Sequence, residues 1–432
     1  MNGSLARGPV SKVPWGFTAL LTAFVLFYTS GPRFPILVPL AMLLAAAMAG
    51  VVVFRWLRTG VRVPLEVLIL GVFVVWAVGS GFMLAVDTDS FAVGAKRMVQ
   101  VVLVAGCVAS MAAMSRTPAI GFLAITGLAL ILVGYGFATG DFAATAEMTQ
   151  KGDQVVGYRA TSLTSNANAL GVSCVWALAG LAWLWRKASR LWQQGALITF
   201  SVPLFAGAVY SGSRKAVLLA PLFLLAWVWF CYRRVLLRRA AVFLTVAIAT
   251  VASVVAGSYI LQGTLVGHRF TATESEKRLG LIQEGLKMLA RHPFAGVGMY
   301  QFNAHSRYTA YAHNDYVEVA ATTGLLGFVI YYSIFALVTW RLVRLRRRCH
   351  HPEVNYSAGI CLAVLVTCAA AGLALVMVYS IAFWCFIAGV FGFASIAERD
   401  LLKHSKRPRQ LPRCIKPVRQ AKAVAALQLT RR

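Results

Sequence analysis

Apolar runs of about 20 residues, each closed by a polar break, recur along the whole chain. Each is long enough to cross a hydrocarbon layer of roughly 30 Å as a helix. Twelve such spans are predicted, near 15–30, 35–54, 64–86, 98–114, 118–139, 167–185, 195–212, 216–232, 240–262, 318–340, 358–379 and 380–396. The last two abut, so a tight helical hairpin is expected there. Two breaks are too long for ordinary loops: 140–166 and 263–317. In the second, Leu279, Ile282, Leu286 and Leu289 recur at spacings of three and four, which predicts an amphipathic helix. Thr273 or Ser275 can cap its start, and Pro293 follows its end.

Composition agrees with the pattern. The 432 residues are 59% hydrophobic and only 13% charged, too little charged surface for a soluble protein of this length. The expectation is an all-α polytopic membrane protein. Residues 1–262 would hold spans one to nine, 263–317 a helical loop, 318–396 spans ten to twelve, and 397–432 a basic tail. The N-terminus shows no convincing signal-cleavage site, and the chain has no evident internal repeat.

Charge then orients the spans. With both termini placed in the cytoplasm, 29 of the 42 Lys and Arg fall on the inner side, while about 10 of the 14 acidic residues fall outside. The net charge of +28 thereby reads as orientation and attraction to anionic lipid head groups rather than as nucleic-acid binding. All eight cysteines fall in spans or inner segments, so no disulfide is expected, and no CxxC pair suggests a metal site.

The chemistry-bearing residues fall on the outer side: Arg159, Arg214, Lys215, Arg269, Lys277, Arg278, Arg291 and His313. Arg214 and Lys215 break the charge rule in the short turn "SGSRK" between spans seven and eight. Cations at head-group level suit an anionic, lipid-linked ligand, and the arginine fork matches phosphate oxygens. His313 opens the stretch "HNDYVEVAATTGLLG" directly before a span. An imidazole can accept a proton near neutral pH. Asn314 and Asp315 suit the start of the following helix, and Asp315 and Glu318 are alternative bases. Tyr300, Phe302, Tyr308, Tyr311 and Tyr316 could stack on sugar faces, although an interfacial aromatic belt is the simpler expectation. No metal-ligand spacing appears on this side.

Three stretches, "SGSRKA" (211–216), "EKRLGLIQEGLKMLARHPFAGVGMYQF" (276–302) and "HNDYVEVAATTGLLG" (313–327), resemble the O-antigen ligases. They are similar also to the related Wzy-type polymerases and protein O-oligosaccharyltransferases. "YRATSLTSNANALG" (158–171) resembles an Arg-then-Asn pattern of the same proteins. The resemblance implies a GT-C-like, all-helical membrane glycosyltransferase that needs no metal or other cofactor and inverts the anomeric centre. Its donor would be a glycan on undecaprenyl diphosphate and its acceptor lipid A-core, with transfer at the periplasmic face of the bacterial inner membrane. His313 would be the general base. Arg214 and Arg278 would hold the diphosphate, with Arg159, Lys215 and Asn314 completing the substrate-binding set. A growing glycan or a protein are the rival acceptors. Secondary transport of an anionic solute is the rival from another class, disfavoured because ionisable groups cluster at one face rather than mid-membrane.

Overall fold

The structure, a computed structural model, describes residues 12–60, 63–142, 148–151, 154–157, 160–164, 166–238, 275–349 and 351–406. Eleven of the twelve expected spans stand as helices. They are α1 (Trp15–Ser30), α2 (Leu37–Thr59), α3 (Leu65–Leu84), α4 (Thr88–Ser115), α5 (Ala119–Ala138), α6 (Ala167–Trp185), α7 (Leu191–Tyr210) and α8 (Arg214–Arg238), then α11 (Asp315–Arg348), α12 (Pro352–Gly372) and α13 (Ile381–Lys406). Between them, α9 (Ser275–Arg291) and the single turn α10 (Phe302–His305) belong to the long loop. The expected span at 240–262 lies outside the described residues. Nine of the described helices are long and apolar enough to cross a membrane, and the chain is a multi-pass membrane protein. One short antiparallel hairpin, β1 (Met148–Lys151) with β2 (Gln154–Gly157), adds to the helical fold inside the 140–166 loop.

The bundle closes around α6 and α13. Their aromatic side chains stack, with Trp176 and Phe386 ring centroids 5.3 Å apart, and Trp384 and Tyr331 are fully enclosed. The outer helix α2 instead presents Leu40, Leu43 and Phe54 outward, as hydrocarbon requires. At the end of the bundle opposite His313, Arg341 pairs with the buried Glu66 and, at 2.9 Å, with Glu398, which Arg344 also reaches at 3.0 Å. These pairs lock α3, α11 and α13 together.

The boundaries differ from expectation in three informative ways. First, α4 begins at Thr88 rather than near 98, because Asp87 caps it by accepting from Ser90 N at 3.0 Å. The added turns carry Lys96 and Arg97. Second, α12 and α13 are no tight hairpin. Residues 373–380 form an irregular connection, α12 packs against α8 and α11, and α13 packs against α4 and α5. Third, α11 breaks at Gly324, where φ is 70° and ψ is −177°. That conformation is essentially open only to glycine.

A break inside a membrane helix frees backbone groups that water cannot satisfy. Here the glycine-rich turn after α9 supplies replacements. Val297 N donates to Ala321 O at 2.9 Å, Gly298 N to Thr322 O at 3.0 Å, and Leu325 N to Pro293 O at 2.8 Å. Trp76 Nε1 in α3 donates to Thr323 O at 3.0 Å. The long loop is thereby fastened to α11, and the first turns of α11 become a separate short helix at the loop.

Helix α9 does pack, but on a different face from the one its leucine spacing suggests. Leu281, Gly285 and Met288 turn inward, and Leu281 and Met288 join Val297, Phe302, Ala312 and Ala321 in a small second core. Leu279 and Leu286 stay 57% and 54% exposed. The inward face was hidden from the pattern because Gly285 contributes closeness rather than hydrophobicity: a Cβ there would press on Val317 and Phe302.

Gly324→Ala is expected to lower stability by about 2–4 kcal/mol, from the strained backbone and a clash with the Phe294 carbonyl. Gly134→Ala, with open space around its added methyl, should be neutral or slightly stabilising. Thermal unfolding of the two variants in the same detergent checks both.

Candidate active site

A cavity of about 820 Å³ opens at the end of the bundle where α1 ends and α6 and α11 begin. Its wall is assembled from distant stretches: the α1–α2 turn, the start of α4, the start of α6, the loop around 300–313 and the irregular segment 375–382. His313, Glu318, Tyr311 and Tyr300 all line it.

His313 sits in the left-handed region, φ 54°, and this bend leads into the helix cap. Asn314 caps α11 by accepting from Val317 N at 3.1 Å. Its amide also donates to Leu373 O at 3.2 Å. The His313 ring lies 4.1 Å, centroid to centroid, from that of Tyr311. Glu318, one turn into α11, accepts from Ala312 N at 2.9 Å and so fixes the peptide just before His313. Burial and the Glu318 carboxylate hold the Tyr311 hydroxyl above the ordinary phenol range, with the positive charge of Arg278 opposing them.

Asp315 is buried and points away from solvent. Its Oδ1 accepts from Met377 N at 2.7 Å and Val378 N at 2.9 Å, and its Oδ2 from the hydroxyls of Tyr331 and Tyr332, both at 3.2 Å. Four donors around one carboxylate make it a clamp on the 373–380 segment. Lys215 grips the same segment, donating to Ala374 O. The "SGSRK" and "HND" turns, about 100 residues apart in sequence, thus hold neighbouring carbonyls, those of Ala374 and Leu373.

Of the sequence candidates, His313 lines the cavity, while Asn314 caps the helix beside it. Arg214 is the first residue of α8, half-buried and adjacent to Lys215; Arg278 is half-buried on α9 and interacts with Tyr311. Arg214, Lys215 and Arg278 are not among the lining residues. Arg159 lies outside the described residues. The residues after it are placed: Asp141 Oδ2 accepts from Thr161 N and Ser162 N, and Thr164, Asn166 and Asn168 reach the cavity. Among the aromatic candidates, Tyr300, Phe302 and Tyr311 line the cavity. Tyr316 instead stacks on Tyr332, and Tyr308 packs over Gly280 of α9. Among the described residues, no group of three or more His, Cys, Asp or Glu side chains could hold a metal ion.

The structure also adds residues. Lys96, Arg97 and Gln100 of α4 line the cavity, and the Arg97 guanidinium donates to the Tyr300 hydroxyl at 2.7 Å. Tyr300 is set by Gln301, whose buried amide accepts from Val86 N and Asp87 N and donates to Asp87 O. The charge-rule argument that singles out Arg214 and Lys215 applies equally to Lys96 and Arg97.

Asp315→Ala is expected to free the 376–379 backbone, so that the Met377 and Val378 amides exchange with deuterium at least about tenfold faster. Asp315→Asn, which keeps one carbonyl oxygen, should fall between. Exchange followed by mass spectrometry checks the order.

No curated protein matches the chain. A chain in the solved structure of a peptidoglycan synthase complex aligns with 78% of this chain and 97% of its own length, at 14% identity and a TM-score of 0.39. That likeness is too low to speak for shared chemistry. Residues 198–332 match the family model of the O-antigen ligases. That match runs from α7 into α11, takes in Arg214, Arg278 and His313, and shows the resemblance of this membrane protein to enzymes of the O-antigen ligase and polymerase type.

Proposed function

We propose that the protein is an O-antigen ligase of the bacterial inner membrane, with both termini cytoplasmic and the cavity open to the periplasm. It would transfer a completed glycan from undecaprenyl diphosphate to a sugar hydroxyl of lipid A-core. The observation that carries this reading is the placement of His313. It stands on the wall of a cavity large enough for sugar rings, fixed on both sides by Glu318 and by the Asn314 cap.

In this reading the acceptor hydroxyl approaches His313. Its oxygen bonds to the anomeric carbon while the imidazole takes its proton. The bond from that carbon to the diphosphate oxygen breaks, and undecaprenyl diphosphate leaves with the electron pair. Arg214 and Arg278, helped by Lys215 and Arg159, would stabilise the charge that develops on the diphosphate. Attack opposite the leaving group inverts the anomeric centre. Asn314 is assigned to orienting the His313 turn, and Tyr311 offers a ring face beside the base. No resident metal or cofactor enters the scheme.

Transfer by purified protein in chelator tests it, with lipid A-core, a growing glycan and a pilin-like protein offered separately. The wild type should stay active with lipid A-core. His313→Ala should lose about 100- to 10,000-fold in turnover, and Arg214→Ala or Arg278→Ala about 100-fold or more, all with unchanged thermal unfolding. Strict dependence on added Mg²⁺ or Mn²⁺, or an intact His313→Ala rate, would overturn the mechanism. Preference for another acceptor would reassign the reaction to the polymerase or protein-transfer branch.

A further inference from the structure

We infer that Lys96 and Arg97 form a second anion site in this cavity, taking a phosphate of the lipid-borne acceptor whose tail stays in the bilayer along the rim made by α2 and α4. The inference rests on the proposed glycosyl transfer, which needs two amphiphilic substrates and assigns the donor diphosphate to Arg214 and Arg278.

Both cations stand on the turns of α4 gained through the Asp87 cap, and both line the cavity. Lys96 is exposed and Arg97 half-buried, so one stands at the mouth and the other within. Arg97 is aimed. The Tyr300 hydroxyl takes its Nη1 at 2.7 Å, and Tyr300 itself lies directly against Gly94, where a Cβ would come within 2.6 Å of the ring. Gly94 is thus the small residue that lets the phenol reach the guanidinium three positions on. A phenol orients a guanidinium without cancelling its charge. Among the described residues, no carboxylate pairs with Lys96 or Arg97. Tyr28 is a second phenol facing this guanidinium, and the N–H groups the two phenols leave over suit phosphate oxygens, which match the arginine fork.

The rim identifies the carrier of the phosphate. Val38 of α2 and Val93 of α4 line the cavity yet remain 39% and 56% exposed. Leu43 of α2 and Val99 and Leu103 of α4 are exposed apolar residues of the same two helices. The helices touch there, with Gln100 Nε2 donating to Met42 Sδ at 3.7 Å. A charged site behind an apolar rim suits an amphiphile whose tail stays in lipid. Its sugars would extend along the wall towards His313, at the reacting end.

The test uses full-length purified protein with lipid A-core and with the same glycolipid after phosphatase treatment. Lys96→Gln/Arg97→Gln should raise the acceptor KM by about tenfold or more while the donor KM stays within about twofold. Dephosphorylated acceptor should show a similarly raised KM for wild type and variant alike. Lys96→Gln alone, at an exposed position, should give a smaller shift in the same direction and guards against misfolding. An unchanged acceptor KM would overturn the site, and a raised donor KM would reassign it to the donor. Equal competition by phosphatidylglycerol vesicles would show a general lipid contact instead and would also overturn it. Direct binding of the glycolipid without donor separates this from the reaction itself. Phosphate-dependent binding lost in the variant supports the site even if transfer fails, whereas transfer with unchanged binding sinks the site alone.

Discussion

A carbonyl set loose inside a membrane helix must find another donor, and this constraint shapes the whole active end of the molecule. Gly324 breaks α11, and the freed groups of residues 321–325 are answered from outside the helix. The donors come from the 297–298 turn and from Trp76. The same bonds pin the long loop onto the bundle. The loop in turn carries Tyr300, which positions Arg97, and residues 310–313, which carry His313. Remove the break, and the loop would keep its small core and the Gln301 bonds but lose the backbone bonds that fasten it to residues 321–325. Backbone satisfaction in a water-poor layer is thus the source of the site's shape.

Asp315 shows how a buried carboxylate can serve shape rather than chemistry. Its two oxygens are consumed by two backbone amides and two phenols. It therefore has little capacity left for a substrate proton, although it lies two residues from the proposed base. What it secures is the non-helical path of residues 373–380, a stretch apolar enough to pass for helix. With Asn314 and Lys215 holding Leu373 and Ala374, three side chains keep that path open beside the cavity. Glu318 differs: it faces the cavity and also fixes Ala312, so it supports His313 from the adjacent turn.

The helical architecture was legible because a 20-residue apolar run has few alternatives in a membrane. Cations out of keeping with their side of the membrane were legible where a residue broke a rule, as Arg214 and Lys215 do, although neither lines the cavity. Lys96 and Arg97 break the same rule but stand directly before the span expected from 98, where charges read as its edge. The Asp87 cap, a local polar signal, moves that edge and changes their meaning. The 373–380 connection was illegible for a different reason. Nothing in "LALVMVYS" forbids helix, and its path depends on Asp315, some 60 residues away in sequence. Likewise the packing face of α9 runs through Gly285, and hydrophobic spacing does not register a residue chosen for closeness.

The two ends of the bundle use positive charge in opposite ways. Away from the cavity, Arg341 and Arg344 meet Glu66 and Glu398, and Arg116 meets Asp400. Those charges are spent on one another and act as fasteners between helices. Breaking the buried Arg341–Glu66 pair would leave an uncompensated charge, so that part of the arrangement resists helix movement. Beside the cavity, Arg97 faces two neutral phenols, Tyr300 and Tyr28, which fix its direction without cancelling its charge. Glu318 faces the same cavity but is engaged by the Ala312 amide, and among the described residues no carboxylate pairs with Lys96 or Arg97. Carboxylates would neutralise the site, and water alone would leave it disordered. Phenols orient the cation and leave room for the acceptor phosphate proposed above.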